Sequence, residues 1–394
     1  MRPGKANLST LRSLAFEPAP ATITVSHLSL TEFRCFESVA LAFDARPVVL
    51  TGPNGAGKTN VLEALSLLTP GSGLRGARLT DFIRRDAEPT AHWAVAASID
   101  TGLGLVSIGT GQAGTCCDQR RAIRINGRPV RGQAELAEVM CALWLTPAMD
   151  RLFLDGPAPR RRFLDRLVFG FDAGHAGRLA AYQRALRERA RLLRQGTVEL
   201  AWLGTLEGVM AGNGVAVAAA RRATVGRLGQ VLVDGFGPFP GAMVALDGSV
   251  ENWLSEMPAV DAEARFAEAL AASRRHDAEA GAARQGPHRT DFTVRHGTSA
   301  QPAEQCSTGE QKALLIAIVL AAARLRAAEH GATPLLLFDE VAAHLDAEHR
   351  RALFDAIRAS GTQAWMTGTD RSVFDGLGED AQFFSVGDGA VTAS

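Results

Sequence analysis

Apolar positions along the chain fall into two patterns. Residues 48–50 (Val-Val-Leu) and 335–338 (Leu-Leu-Leu-Phe) are uninterrupted apolar runs, the signature of strands covered on both faces. Residues 143–147 and 363–366 read as further strands. Looser alternation marks strands at 22–33, 39–43, 93–100, 104–108 and 121–125, the last followed by Asn126-Gly127, a hairpin dipeptide. Helical spacing dominates residues 60–68, 176–195, 266–281, 312–328 and 347–359. It also dominates 199–236, which is expected to break near Gly212-Asn213-Gly214. The order of these elements predicts an α/β fold interrupted by a helical insertion. A lead-in of residues 1–21 precedes it; the α/β part comprises 22–158 and 285–394, and the insertion 159–284.

The run at 48–50 ends in Gly52-Pro53-Asn54-Gly55-Ala56-Gly57-Lys58-Thr59, which fits G-x-x-x-x-G-K-[ST] between a strand and a helix. Glycines let backbone N–H groups curl around phosphates without a Cβ in the way, and the helix N-terminus adds positive potential. In that setting Lys58 reaches the β- and γ-phosphates and Thr59 ligates Mg²⁺. The run at 335–338 ends in Asp339-Glu340. Sites form at strand C-termini of parallel sheets, so Asp339 is expected to hold Mg²⁺ and Glu340 to orient or deprotonate the attacking water. Ser307-Thr308-Gly309-Glu310-Gln311 enters a third apolar helix and offers a second anion site, either capping the nucleotide of a neighbouring copy or serving as a plain helix cap.

Composition narrows the class. The chain has 394 residues, 42 basic and 42 acidic, so bulk charge does not drive it onto a polyanion. No uncharged apolar run is long enough to span a membrane, and the N-terminal residues lack a continuous apolar core of the signal-peptide kind. Five cysteines (Cys35, Cys116, Cys117, Cys141, Cys306) show no metal spacing, which fits a reduced compartment. Arginines concentrate in the insertion: Arg184, Arg187, Arg189, Arg191 and Arg194 surround a single acid, Glu188. They read either as a solvated helical face or as a surface for nucleic-acid phosphates. Arg34, in the turn Phe33-Arg34-Cys35-Phe36, reads as a solvated charge or as one aimed at a nucleotide base or DNA.

Phosphate loop, Ser-Thr-Gly loop, acidic strand and a following Leu345-Asp346, in this order, resemble the ABC-type ATPases, and within them the RecF family of the SMC-like DNA-repair branch. Residues 146–167, with Arg160-Arg161-Arg162-Phe163-Leu164-Asp165, and residues 182–194 are similar to that family's central stretches. Gly286-Pro287-His288-Arg289-Thr290-Asp291 resembles its G-P-H-R-D-D motif. The resemblance implies an ABC/SMC-like ATPase head with a helical arm insertion, and two ATP molecules sandwiched in an ATP-dependent homodimer. It implies nucleotide contacts from residues 52–59, Arg34 and Asn60 of one copy, with Ser307, Gly309, Gln311 and Asp346. It implies a weak, DNA-stimulated ATPase served by Glu340 and Lys58. It further implies cytoplasmic binding of single- and double-stranded DNA near gaps, with Arg184, Arg187 and Arg191 as contacts, and loading of RecA together with RecR and, through it, RecO; no membrane is involved. Three departures stand out. Asp339-Glu340 replaces the Asp-Asp of many members, His344 stands where an acid is common, and the switch histidine is absent, with Thr367 and Thr369 nearby. A transport ATPase subunit and a nucleotide-gated scaffold without turnover are the rival readings; the long helical insertion argues against the first.

Overall fold

The computed structural model describes residues 21–88, 90–113, 120–130, 132–196 and 199–394; the lead-in up to residue 20, Cys116 and Cys117 lie outside them. In chain order, β1 (Ala21–Thr22), β2 (Thr24–Phe33), β3 (Phe36–Ala42) and β4 (Val48–Thr51) precede helix α1 (Lys58–Ser66). A meander of β5 (Ala94–Asp100), β6 (Leu105–Ala113), β7 (Arg120–Ile125) and β8 (Arg128–Pro129) leads through α2 (Ala134–Val139) to β9 (Ala142–Leu145). Then come α3 (Pro157–Phe169), α4 (His175–Gln195), α5 (Leu200–Val231), β10 (Ala242–Asp247), α6 (Ser249–Glu256), α7 (Ala259–Ala272), α8 (Arg274–Ala280) and β11 (Asp291–His296). The chain closes with α9 (Thr308–His330), β12 (Ala332–Thr333), β13 (Leu335–Phe338), α10 (Ala347–Ser360), β14 (Ala364–Gly368), β15 (Gln382–Gly387) and β16 (Ala390–Ala393).

Two sheets carry the head. The central one runs β16-β15-β4-β14-β13-β9 and is parallel except at its β16 edge. The other is an antiparallel meander, β3-β2-β5-β6-β7-β8. Side chains alternate across the central sheet, which explains why its strands read as unbroken apolar runs. Val48, Leu50, Leu335, Leu337 and Trp365 face the meander and α1, while Val49, Leu336, Phe338 and Met366 face α3, α5, α9 and α10. A third core, built on Tyr182, Met210, Val215, Trp253, Phe266 and Leu270, joins α4, α5, α6 and α7.

The insertion departs from expectation in four ways. Helix α5 is unbroken through Gly212 and Gly214, because Gly214 is a packing site: a Cβ there would lie 2.8 Å from the Phe266 ring and 3.1 Å from Tyr182. The single helix expected at 266–281 is two, α7 starting at Ala259 and α8 starting at Arg274. Strand β10 and helix α6 carried no clear pattern; after buried Ala242, β10 alternates exposed and part-buried residues, and it pairs with β11. Finally, α3 and the C-terminal half of α5 (Phe163, Leu164, Leu167, Val225, Leu228) pack in the head core, so the two parts interlock. Helix α5 is long and apolar enough to cross a membrane by length and composition. In this fold it is the rod that runs from the arm core into the head core, with Glu207 and Arg221 buried in ion pairs along it.

Candidate nucleotide site

Strand β4 delivers the glycine loop and α1 receives it. Gly52 has φ +151° and a Cβ there would sit 2.2 Å from the Val386 carbonyl of β15, so glycine alone lets the loop leave the sheet at this point. Pro53, Asn54 and Gly55 form the exposed crest, and Ala56 N–H closes the turn on the Pro53 carbonyl at 3.2 Å. Lys58 is buried at the start of α1; its Nζ donates to the carbonyls of Gly52 (2.7 Å) and Pro53 (2.9 Å), which holds the ammonium under the loop. Thr59 Oγ1 donates to Asp339 Oδ1 at 2.8 Å, although 280 residues separate the two. The sheet order explains this: β14 alone separates β4 from β13, and all three strands point the same way.

Thr367, at the end of that intervening strand, completes the arrangement. It is fully buried; its Oγ1 donates to Asp339 Oδ1 (2.8 Å) and accepts from the Glu340 backbone N–H (2.9 Å). Glu340 itself adopts the left-handed region at φ +55°, which turns it off the line of β13. The Thr367 hydroxyl thus bonds Asp339 and the Glu340 backbone, and Thr369 is exposed two residues on. A hydroxyl and a carboxylate in contact form a hard oxygen pair that suits Mg²⁺, a cation held by few protein oxygens plus phosphates and water. Among the described residues no cluster of three or more His, Cys, Asp or Glu offers an all-protein metal cage.

The turn at Arg34 packs on this loop. Arg34 sits at φ +58°; its Nε and Nη2 clasp the Glu63 carboxylate at 2.8 and 2.9 Å, its Nη1 reaches the Asp81 carbonyl, and it lies over the Phe82 ring. Glu63 is fully buried on α1 and also takes Arg75 at 3.3 Å. Glu63 escaped sequence reading, though an acid inside the apolar run Val61-Leu62-Glu63-Ala64-Leu65 was a signal of a buried partner. Asn60 donates to Cys35 Sγ at 3.2 Å and accepts from Arg75 at 3.0 Å.

The Ser-Thr-Gly loop takes no part in the bonds among Thr59, Asp339, Thr367 and Glu340. Ser307 caps α9: it accepts from Glu310 N–H, and Glu310's carboxylate accepts from the Ser307 N–H and hydroxyl, both at 2.8 Å. That capping box holds the Glu310 carboxyl below the usual range. Ser307, Thr308, Gly309 and Glu310 are exposed, but Gln311 is not: it is buried and donates to the Cys306 carbonyl at 2.9 Å, so it shapes the loop from behind. Lys312, one residue on, reaches Asp150 at 3.4 Å. Asp346 caps α10, accepting from the N–H and the ring of His349, which depresses its carboxyl.

On α4 the arginines divide. Arg184, Arg187 and Arg191 are exposed at helical spacing on one face, with Arg191 paired to Glu188. Arg189 points the other way, buried between Glu207 (2.9 Å) and Asp277 (2.8 Å), so the cluster is not a single basic surface.

The profile described as the RecF/RecN/SMC N terminal domain matches residues 24–386, nearly the whole described chain. Curated relatives share that extent. The DNA replication and repair protein RecF of Agrobacterium fabrum is 48% identical over 374 residues, covering 94% of this chain and 99% of the relative. The RecF protein of Mesorhizobium japonicum is also 48% identical, over 375 residues, covering 94% and 98%. The chain belongs to the RecF family. The solved structure of a recombination mediator protein RecF bound to ATPrS in the RecFOR pathway superposes with TM-score 0.81 at 20% identity, covering 95% of this chain and 99% of that one. A Pyrococcus furiosus Smc head domain superposes at 0.52 and 16% identity, covering 95% and 96%. These likenesses establish the RecF and SMC-head fold of an ABC-type ATPase, as the ordered motifs imply.

Proposed function

We propose that this RecF-family chain is a DNA-repair ATPase that pairs with a second copy across ATP and Mg²⁺. The observation that carries the reading is the bonded set Thr59–Asp339–Thr367–Glu340 beneath the glycine loop, combined with the exposed capping loop of Ser307 and Gly309, which takes no part in those bonds. Lys58 and the loop N–H groups bind the phosphates. Thr59 and Asp339 would hold Mg²⁺, which would supply positive charge to the phosphate oxygens. Glu340 orients and deprotonates the attacking water. Ser307 and Gly309 of the second copy present N–H groups and a hydroxyl to the γ-phosphate, with Asp346 close to the joint. Arg34 has its donors on Glu63 and Asp81, so its contribution to nucleotide binding runs through the position of α1.

The paired form binds single- and double-stranded DNA near gaps, with Arg184, Arg187 and Arg191 on phosphates, and works with RecR, RecO and RecA in the cytoplasm. Two named relatives are DNA replication and repair proteins, and the neighbouring structure is named a recombination mediator. Hydrolysis is slow and sets the lifetime of the pair. Sedimentation with and without ATP on gapped, duplex and single-stranded DNA tests the reading: pairing that requires ATP and DNA affinity that falls with salt support it, and a monomer at saturating ATP contradicts it. Glu340→Gln is expected to trap the ATP-bound pair.

A further inference from the structure

The two stretches Arg160-to-Asp165 and Gly286-to-Asp291, similar in sequence to RecF-family motifs, close on each other. Arg160, in the first turn of α3, grips Asp291 at the start of β11 with two bonds, 2.7 and 2.8 Å. Its third nitrogen, Nη1, donates to the carbonyls of Asp155 (2.6 Å) and Phe153 (3.1 Å). Arg161 donates to the Thr290 carbonyl at 2.8 Å. Five residues along the same helix, Asp165 receives Arg221 of α5 (2.8 and 2.9 Å) and His175 of α4 (2.8 Å), and Arg221 also reaches the Pro287 carbonyl at 2.6 Å. One short helix thus holds arm helices at one end and, through Arg160, the start of β11 at the other.

Both things that Arg160 grips lead to the capping loop. Beyond Asp291, β11 ends where His296 N–H meets the Gln301 carbonyl and Arg295 bridges Pro302; a single 3-10 turn over Ala303–Gln305 then reaches Ser307. The segment before Phe153 carries Asp150, the partner of Lys312 in the first turns of α9. The clasp is also not sealed in. It borders a cleft of about 150 Å³ lined by Arg160, Asp291, Arg295, Pro302 and Glu304. Glu304 lies three residues before Ser307, and its carboxylate is close enough to contribute to the field at Arg160. The carboxylate bonds of Arg160 go to Asp291, while Glu304 and Asp155 add to the negative field around it.

We propose that Arg160, through its clasp on Asp291, is a positioning residue that couples the helical arm to the capping loop at 307–310, so that what the arm holds alters how readily two copies pair on nucleotide. This rests on the ATP-sandwich reading above. Arg160 bonds Asp291 and backbone carbonyls, and through them it sets the loop that a second copy presents.

Arg160→Lys keeps the charge but cannot fork onto Asp291, and Asp291→Asn keeps the shape but removes the charge. Three quantities are read for each variant: affinity of the monomer for a fluorescent ATP analogue, the ATP-dependent dimer dissociation constant with and without duplex DNA, and the melting temperature. Both variants should keep monomer nucleotide affinity within about twofold, weaken pairing at least about tenfold, and lose the response of pairing to DNA. Glu207→Gln, which loosens the buried ion network inside the arm, should lower the melting temperature yet leave pairing without DNA unchanged. Pairing and DNA response within about twofold of wild type in both Arg160→Lys and Asp291→Asn overturn the coupling. So does loss of pairing that comes together with loss of monomer nucleotide binding, which marks a general structural role. A wild-type protein that does not pair with ATP at all overturns the sandwich reading, and the clasp with it; the wild-type arm separates that failure from the others.

Discussion

At the scale of single residues the site depends on who holds the acids. The motif made the Thr59–Asp339 meeting legible, because a hydroxyl after Lys and an acid after an apolar strand have complementary roles. Thr367 was less legible. A hydroxyl at a strand end fits sensor, cap or packing, and only the sheet order placed it between Asp339 and Glu340. Thr367→Val keeps the shape, removes the bond to Asp339 and leaves the Glu340 N–H without an acceptor. Partners that orient ligating carboxylates are worth about 10–100-fold in activity. The ATPase rate should fall within that range and need more Mg²⁺, with nucleotide affinity nearly unchanged. A full rate at low Mg²⁺ contradicts this role. Arg34 makes the opposite point. Its side chain is 18% exposed against 0% for Glu63, and removing one partner of so buried a pair costs about 3–5 kcal/mol. Arg75 remains on Glu63 in the Arg34→Ala variant, which places the expected loss at the low end. Denaturant melts of Arg34→Ala and Arg34→Lys should both show it, since an ammonium cannot replace the fork. A stable variant that fails only to bind ATP would return Arg34 to direct nucleotide contact.

At the scale of elements, legibility followed burial. Strands covered on both faces announced themselves as apolar runs, and α9 as a long apolar helix with a capping box at its start. The arm was harder to read, because its signals depend on tertiary partners. Gly214 broke the local pattern of α5, yet in the structure it is the only residue that fits against Phe266 and Tyr182. Gly226, in the same helix, has open space around its absent Cβ. Gly214→Ala should therefore cost about 1–3 kcal/mol by overpacking, whereas Gly226→Ala should gain up to about 1 kcal/mol from helix propensity. Equal effects at both sites would remove the packing argument. The loop with His288 adds a pH signature. Burial depresses its pKa from 6.5 to about 4, and the neutral ring accepts from Tyr182 at 2.6 Å while facing the Ala283 carbonyl with its other nitrogen. A depressed folded-state pKa means that the unfolded chain binds the proton first. Stability from this group is complete above pH 6.5 and is lost as the pH falls toward 4. The melting temperature should drop across that window, and His288→Asn should flatten the drop; an unchanged slope would exclude His288 as its source.

At the scale of the whole molecule, the glycine loop is half of a site in this account. The sequence order of the motifs made the second half legible as chemistry, a capped helix start with an exposed Ser and Gly, but not as geometry, because its partner is another copy. Within one chain the loop at 307–310 is satisfied by Glu310 and open outward, and the nucleotide loop is braced by Thr59, Asp339 and Thr367. In the proposed pair, the bound nucleotide joins the two halves. Mixing two crippled chains tests this directly. Lys58→Ala disables the phosphate loop, and Ser307→Arg blocks the capping loop while leaving ATP binding to the monomer intact. Each alone should be almost inactive as an ATPase. Mixed, they form pairs in which the intact phosphate loop of the Ser307→Arg chain meets the intact capping loop of the Lys58→Ala chain, and activity should return. No recovery on mixing, or full activity of Ser307→Arg alone, would contradict a site shared between two copies.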